Sequence, residues 1–170
     1  MSCGRIALER AGTNIDNYFA SEIKPHAIKV SKYNYPDIIH VGDITELTPS
    51  KLPKINLLIG GSPCQDFSIG RTGNGLERKG FHGDKSSLFF EYVRLLKTLK
   101  PEYFLLENVK MTPEHQKLVS DIIGCEPVKI NSNKFTFQNR NRLYWTNIPI
   151  AEIPKDCAAS FQDNKSTDHE

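Results

Sequence analysis

The chain has 170 residues, 38% hydrophobic and 25% charged, and its net charge is +2. This is enough for one domain with a real core, and the composition is ordinary for a soluble globular protein. No run approaches the roughly 18 consecutive apolar residues of a membrane span, and Glu9 and Arg10 arrive before the apolar stretch of a secretory signal can develop. The chain is therefore read as cytosolic. With charge so nearly balanced, any phosphate-binding surface must be local. Cys3, Cys64, Cys125 and Cys157 form no CxxC pair. A metal site is not expected, nor is a disulfide framework in a chain read as unexported.

In chain order, Gly4 to Ala11 suits a short helix closed by Gly12. Asn17 to Ser21 suits a strand, Pro25 to Asn34 a helix, and Ile38 to Val41 a second strand. The apolar run Asn56 to Ile59 is a third strand, broken at Gly60 and Gly61. Such continuous apolar runs fit strands buried on both faces of a parallel sheet. A long polar segment follows, Ser68 to Lys85, with glycines at 70, 73, 75, 80 and 83. A loop of that length inside a compact domain is usually functional or disordered. Leu88, Phe89, Tyr92, Leu95, Leu96 and Leu99 then recur at helical spacing until Pro101. Tyr103 to Leu106 reads as a buried strand. Thr112-Pro113-Glu114 opens a helix that Gly124 ends. Val128 to Ile130 and Arg142 to Thr146 are the last strands, and the tail from Asp163 is polar.

Strands separated by helices predict a doubly wound α/β fold with a mostly parallel, Rossmann-like sheet. Ligands in such sheets lie beyond the carboxyl ends of the strands. That rule selects Glu22, Asp43, the Gly60 to Gln65 turn and Glu107-Asn108. In GGSPCQ the glycines permit a sharp turn and Pro63 stiffens the approach to Cys64. A free cysteine is usually a small buried hydrophobe, but one held at a strand end beside a crevice is a candidate nucleophile. A depressed thiol pKa would be required. Glu107 would place an acid beside that thiol, although an acid after a buried strand can equally cap a turn. Gln138, Arg140 and Arg142 alternate, so on a strand they share one face, either solvated or suited to a polar ring and its phosphates.

Three motifs, Pro63-Cys64-Gln65, Glu107-Asn108-Val109 and Gln138-x-Arg140-x-Arg142, occur in order at plausible intervals. Together they make the sequence resemble the DNA (cytosine-5) methyltransferases, from Met1 to about Pro154. The segments SPCQDFSIGRTG, LFFEYVRLL and FTFQNRNRLYW look most like the class that includes phage enzymes and animal de novo enzymes. The resemblance implies a partial catalytic domain over residues 1–154, with 155–170 a polar tail. It implies S-adenosylmethionine as cofactor and double-stranded DNA with a flipped cytosine as partner. Cys64 would attack C6 of the ring, Glu107 would hydrogen-bond and protonate N3, and Arg140 and Arg142 would complete the catalytic set. Glu22 matches the acid that binds the ribose hydroxyls and Asp43 the acid near the adenine amine. Ile23 and Ile44, which follow them, belong to the same site, and Gly4 matches the last glycine of the first cofactor motif. Ser68 to Lys85, with Arg71, Arg78, Lys79 and Lys85, would close over the DNA.

The resemblance also carries an expectation about the ends. The family's first, central strand and its Phe-x-Gly start would precede Met1, and its target-recognition region would follow Glu170. Two function classes follow from it. One is an enzyme, acting alone or completed by a second polypeptide. The other is a catalytically inactive fragment with residual DNA or partner binding. An unrelated dinucleotide-binding oxidoreductase is disfavoured because no GxGxxG is present.

Overall fold

The computed structural model describes residues 2–61 and 87–154. They fall in two compact units, Met1–Pro53 and Lys54–Glu170. Among the described residues no helix is long and apolar enough to cross a membrane.

The first unit contains helix α1 (Cys3–Arg10), strand β1 (Phe19–Ser21), helix α2 (Pro25–Asn34) and strand β2 (Ile39–Gly42). Proline at the first position opens α2, where its missing N–H has no partner to lose. Ala27 and Ser31, four residues apart, are the buried side of that helix. Strands β1 and β2 pair in parallel, with Ser21 opposite Gly42. The Ser21 hydroxyl donates to the Gly42 carbonyl over 2.7 Å. Gly42 sits at φ +79°, a left-handed conformation that glycine adopts at little cost. Helix α1 is tied down through Arg5, which pairs with Asp37 at 3.3 Å and lies 5.2 Å above the Tyr35 ring.

The second unit contains β3 (Leu57–Gly61), α3 (Ser87–Leu99), β4 (Tyr103–Val109), α4 (Pro113–Ile123), β5 (Val128–Asn131) and β6 (Asn141–Thr146). Its sheet runs in the order β3-β4-β6-β5. Strands β3 and β4 are parallel, and β6 is antiparallel to both of its neighbours. Phe89, Tyr92 and Val93 of α3 and Val119 of α4 form one core with Leu106, Met111, Leu143 and Trp145. Trp145 is fully buried, and its indole N–H donates to Ser120 Oγ over 3.0 Å, so the largest core residue leaves no polar atom unmatched. Thr112 caps α4 by accepting from the His115 amide, and Gly124 ends the helix at φ +89°.

The α/β fold class and the order of helices and strands are those the sequence predicts. Two strand ends differ. Strand β4 continues past Leu106 through Glu107, Asn108 and Val109, because β6 pairs with it along that whole stretch. Gly60 and Gly61 lie inside β3, not in a turn, and the described glycines at positive φ are Gly12, Gly42 and Gly124. Their reason is close approach. A Cβ on Gly60 would stand 2.4 Å from Cδ2 of Tyr92, and one on Gly61 would stand 3.3 Å from Oε2 of Glu107.

Tyr92 is 4% exposed, so its ring cannot swing into solvent to admit that methyl group. Gly60→Ala should lower the unfolding free energy by about 1–3 kcal/mol through overpacking. A urea titration of Gly60→Ala, Tyr92→Leu and the double variant measures it. The double variant should lose less than the sum of the singles, because the shorter side chain removes the clash. Strict additivity would show that the Tyr92 ring is not what requires the glycine.

Candidate functional site

Strands β3 and β4 end side by side, with Gly61 opposite Glu107 in the parallel register. On the other edge of β4, Tyr144 lies opposite Glu107 and Arg142 opposite Val109. Arg142 therefore reaches Glu107 diagonally, and its Nε lies 2.7 Å from Glu107 Oε1. No hydrogen bond of good alignment forms at that nitrogen, so the contact is one of charge proximity more than of a directed bond. The two side chains are 19% and 31% exposed, which screens the pair less than a fully solvated one. A second guanidinium nitrogen donates to the Asn141 carbonyl over 2.8 Å and fixes the head of the side chain. The bare α-carbon of Gly61 leaves the space that the second carboxylate oxygen occupies. Opposite the acid, burial first and the Glu107 charge second push the Tyr144 hydroxyl pKa up.

Gln138, Arg140 and Arg142 do not share a strand face. Strand β6 begins at Asn141, so Gln138 and Arg140 belong to the connection between β5 and β6. The Asn131 side chain captures the chain there: its Oδ1 accepts from the Arg140 amide at 3.0 Å and from the Asn133 amide at 3.2 Å. Arg140 is exposed and has no ion pair among the described residues. Of the two arginines, Arg142 is the one brought to Glu107. Asn131 escaped the sequence reading, although an asparagine at a strand end is a known organiser of local turns.

In the first unit, Glu22 and Asp43 directly follow the paired residues Ser21 and Gly42, at neighbouring strand ends. Oε1 of Glu22 accepts from the amides of Ile23 and Lys24 at 2.9 and 3.0 Å. The Lys24 amide is the chief cause of a carboxyl pKa below the ordinary value. Oδ1 of Asp43 accepts from the Thr45 amide and hydroxyl at 2.9 and 2.8 Å, and these bonds lower its pKa too. Each acid keeps a second oxygen with no hydrogen bond among the described residues. Ile23 stands beside them 64% exposed, and Ile44 follows Asp43. Gly4 lies in the first turn of α1. Two ionised carboxylates next to an exposed apolar side chain suit a ligand with hydroxyl or amine donors and a flat apolar face.

Cys64, Ser68 to Lys85 and residues 155–170 lie outside the described residues. Of the other cysteines described, Cys3 is exposed and Cys125 is partly buried. Burial pushes the Cys125 thiol pKa up, which keeps it protonated and unreactive. Among the described residues no group of three His, Cys, Asp or Glu side chains could hold a metal ion.

A solved E. coli structure, described as a prophage-encoded DNA modification methyltransferase, superposes with a TM-score of 0.62 at 25% identity, covering 86% of this chain and 46% of that one. The fold is accordingly the Rossmann-like α/β fold of the S-adenosylmethionine-dependent methyltransferases. The family model for C-5 cytosine-specific DNA methylases matches residues 2–126, and the chain belongs to that family. Among similar proteins, the type II methyltransferase M.NlaIV of Neisseria lactamica is 42% identical over 58% of this chain and 22% of its own length. The orphan methyltransferase M.SPRI of Bacillus phage SPR is 35% identical over 81% of this chain and 33% of its own. The chain thus spans a third or less of the length of these relatives.

Proposed function

We propose that the protein takes part in methyl transfer from S-adenosylmethionine to C5 of cytosine in DNA, through a covalent Cys64 adduct at C6. The observation that carries this reading is the Glu107–Arg142 pair at the carboxyl end of β4, with Gly61 beside it. Cys64 follows Gly61 by three residues, so covalent connectivity alone keeps its Cα within about 11 Å of that of Gly61. Within that reach, the thiolate adds to C6 of a flipped cytosine while the Glu107 carboxyl hydrogen-bonds N3 and delivers a proton there. Arg142 holds the Glu107 side chain in the orientation this requires, and Arg140, exposed on the next loop, meets the base or its phosphate. When bound, S-adenosylmethionine supplies the methyl group that C5 accepts. Loss of the C5 proton then restores the ring double bond and expels Cys64. Glu22 and Asp43 would hold the ribose hydroxyls and the adenine amine, with the exposed Ile23 offering an apolar surface to the base. Gly4 and Ile44 complete the cofactor site.

Fluorine at C5 cannot leave as a proton does, so DNA containing 5-fluorocytosine should arrest the reaction at the adduct. With S-adenosylmethionine present, a mass shift equal to the oligonucleotide plus a methyl group should map to the peptide bearing Cys64. An adduct on Cys3, Cys125 or Cys157 would refute the assignment. The same trap tests a second reading. In it, the chain is one part of a split enzyme or a fragment with residual DNA binding. Trapping that occurs only after a polypeptide carrying the relatives' remaining segments is added would select it.

A further inference from the structure

The two acids of the first unit stand at the end of a short pairing. Strand β1 has three residues and β2 four, and parallel pairing is the less stable kind per residue. The register also slips there: Ala20 lies opposite His40 and Ser21 opposite Gly42, so Val41 is passed over. Such an irregularity disturbs the ladder locally. It falls just before Glu22 on one strand and Asp43 on the other. Gly42 adds freedom at the same place. It takes φ +79°, and nothing lies within 4 Å of where a Cβ on it would stand, so no packing on that side restrains the turn into Asp43.

A side chain supplies the restraint. The Ser21 hydroxyl donates to the Gly42 carbonyl at 2.7 Å, joining residues 21 apart in the chain. The bonds that hold the acids have a different reach. Glu22 accepts from the Ile23 and Lys24 amides, and Asp43 accepts from the Thr45 amide and hydroxyl, so each acid is fixed to the continuation of its own strand. None of those bonds sets one carboxylate relative to the other, whereas the Ser21 bond crosses between the strands. A ligand that must meet both acids at once binds best when their separation is set before it arrives. From this geometry we infer that Ser21 is a positioning residue for the cofactor: its hydroxyl ties β1 to β2 and fixes the span between Glu22 and Asp43, across which the nucleoside end of S-adenosylmethionine binds. The inference deepens the proposed function and rests on it for the identity of the ligand.

The experiment titrates the whole chain with S-adenosylhomocysteine and, separately, with adenosine in a calorimeter. Ser21→Ala should raise the dissociation constant for S-adenosylhomocysteine by about threefold to tenfold, the effect of one net hydrogen bond. Adenosine should lose the same factor, because the acids meet only the nucleoside end. Ser21→Thr keeps the hydroxyl and should bind nearly as the unsubstituted chain does. Ser21→Val, close to threonine in shape but without the donor, should bind as the alanine variant does. Valine and threonine both favour strands, so this pair decides the matter if the alanine variant does not fold. A purely structural role is separated by repeating the comparison with Asp43→Ala already in place. No second acid then remains to be positioned, and Ser21→Val should weaken binding little further. The same factor lost in both backgrounds overturns the inference. Equal dissociation constants for the threonine and valine variants also overturn it, with cofactor binding left standing. A loss confined to S-adenosylhomocysteine overturns it too, because the tie would then act at the methionine end. Absence of binding of either ligand by the unsubstituted chain removes the cofactor site itself, and the inference with it.

Discussion

Cys64→Ser should reduce methyl transfer by roughly 10⁴- to 10⁶-fold, the scale on which enzymes lose activity with their nucleophile. A serine hydroxyl remains protonated at neutral pH, whereas a thiol placed among cations ionises readily and forms a softer nucleophile. Serine is also the poorer leaving group in the last step, when the C6 bond must break. The measurement is tritiated methyl transfer to DNA, under whichever conditions, chain alone or complemented, give turnover with cysteine. Binding of DNA should survive the substitution, because one oxygen for one sulfur removes no cation and little surface. Retention of more than a few per cent of the activity would sink the covalent route and leave Cys64 a structural cysteine.

The second large effect falls on the acid and its partner. Glu107→Gln should slow the single-turnover rate by about 10²- to 10⁴-fold, the usual range for a positioned general acid. Glutamine keeps the shape beside Gly61 but has no carboxyl proton to deliver to N3. Arg142→Lys keeps a positive charge near Glu107 but loses the contact to the Asn141 carbonyl that fixes the guanidinium head. It should therefore lower the rate less than Glu107→Gln does. The pair should also be non-additive: with Glu107 already glutamine, Arg142→Lys should cost little more. A double variant whose losses multiply would mean that Arg142 acts on the DNA itself and not through Glu107.

Much of this arrangement was legible in residue order. Helix α2 announced itself by Pro25 and its spacing, and helix α4 by Thr112, Pro113 and Gly124, because those signals act within a few residues. The end of β4 was not legible. Glu107 and Asn108 look like the polar close of an apolar strand, and only pairing with β6, some 35 residues on, keeps the ladder going and sets a cation beside the acid. The same limit applies to Gly60, whose requirement lies in the Tyr92 ring of another element. Arg140 and Arg142 illustrate it from the other side. Their spacing implied a shared face, and a hydrogen bond from the Arg140 amide to Asn131 removed one of them from the strand. Glu22 and Asp43 were easier, since each follows a strand and is held by amides one or two residues away.

The strand order β3-β4-β6-β5 has a consequence for how the chain is made. On the ribosome, β4 can pair with β3 once Val109 has emerged, but its other edge waits for β6, which ends at Thr146. At roughly 5–20 residues per second that interval lasts about 2–7 s. Throughout it the nascent sheet presents an open edge beginning with the apolar run from Tyr103 to Leu106, and Trp145, its future cover, is still unsynthesised. Nascent chains therefore have a defined window of vulnerability to edge-to-edge association, and slowed translation between codons 110 and 146 should lengthen it.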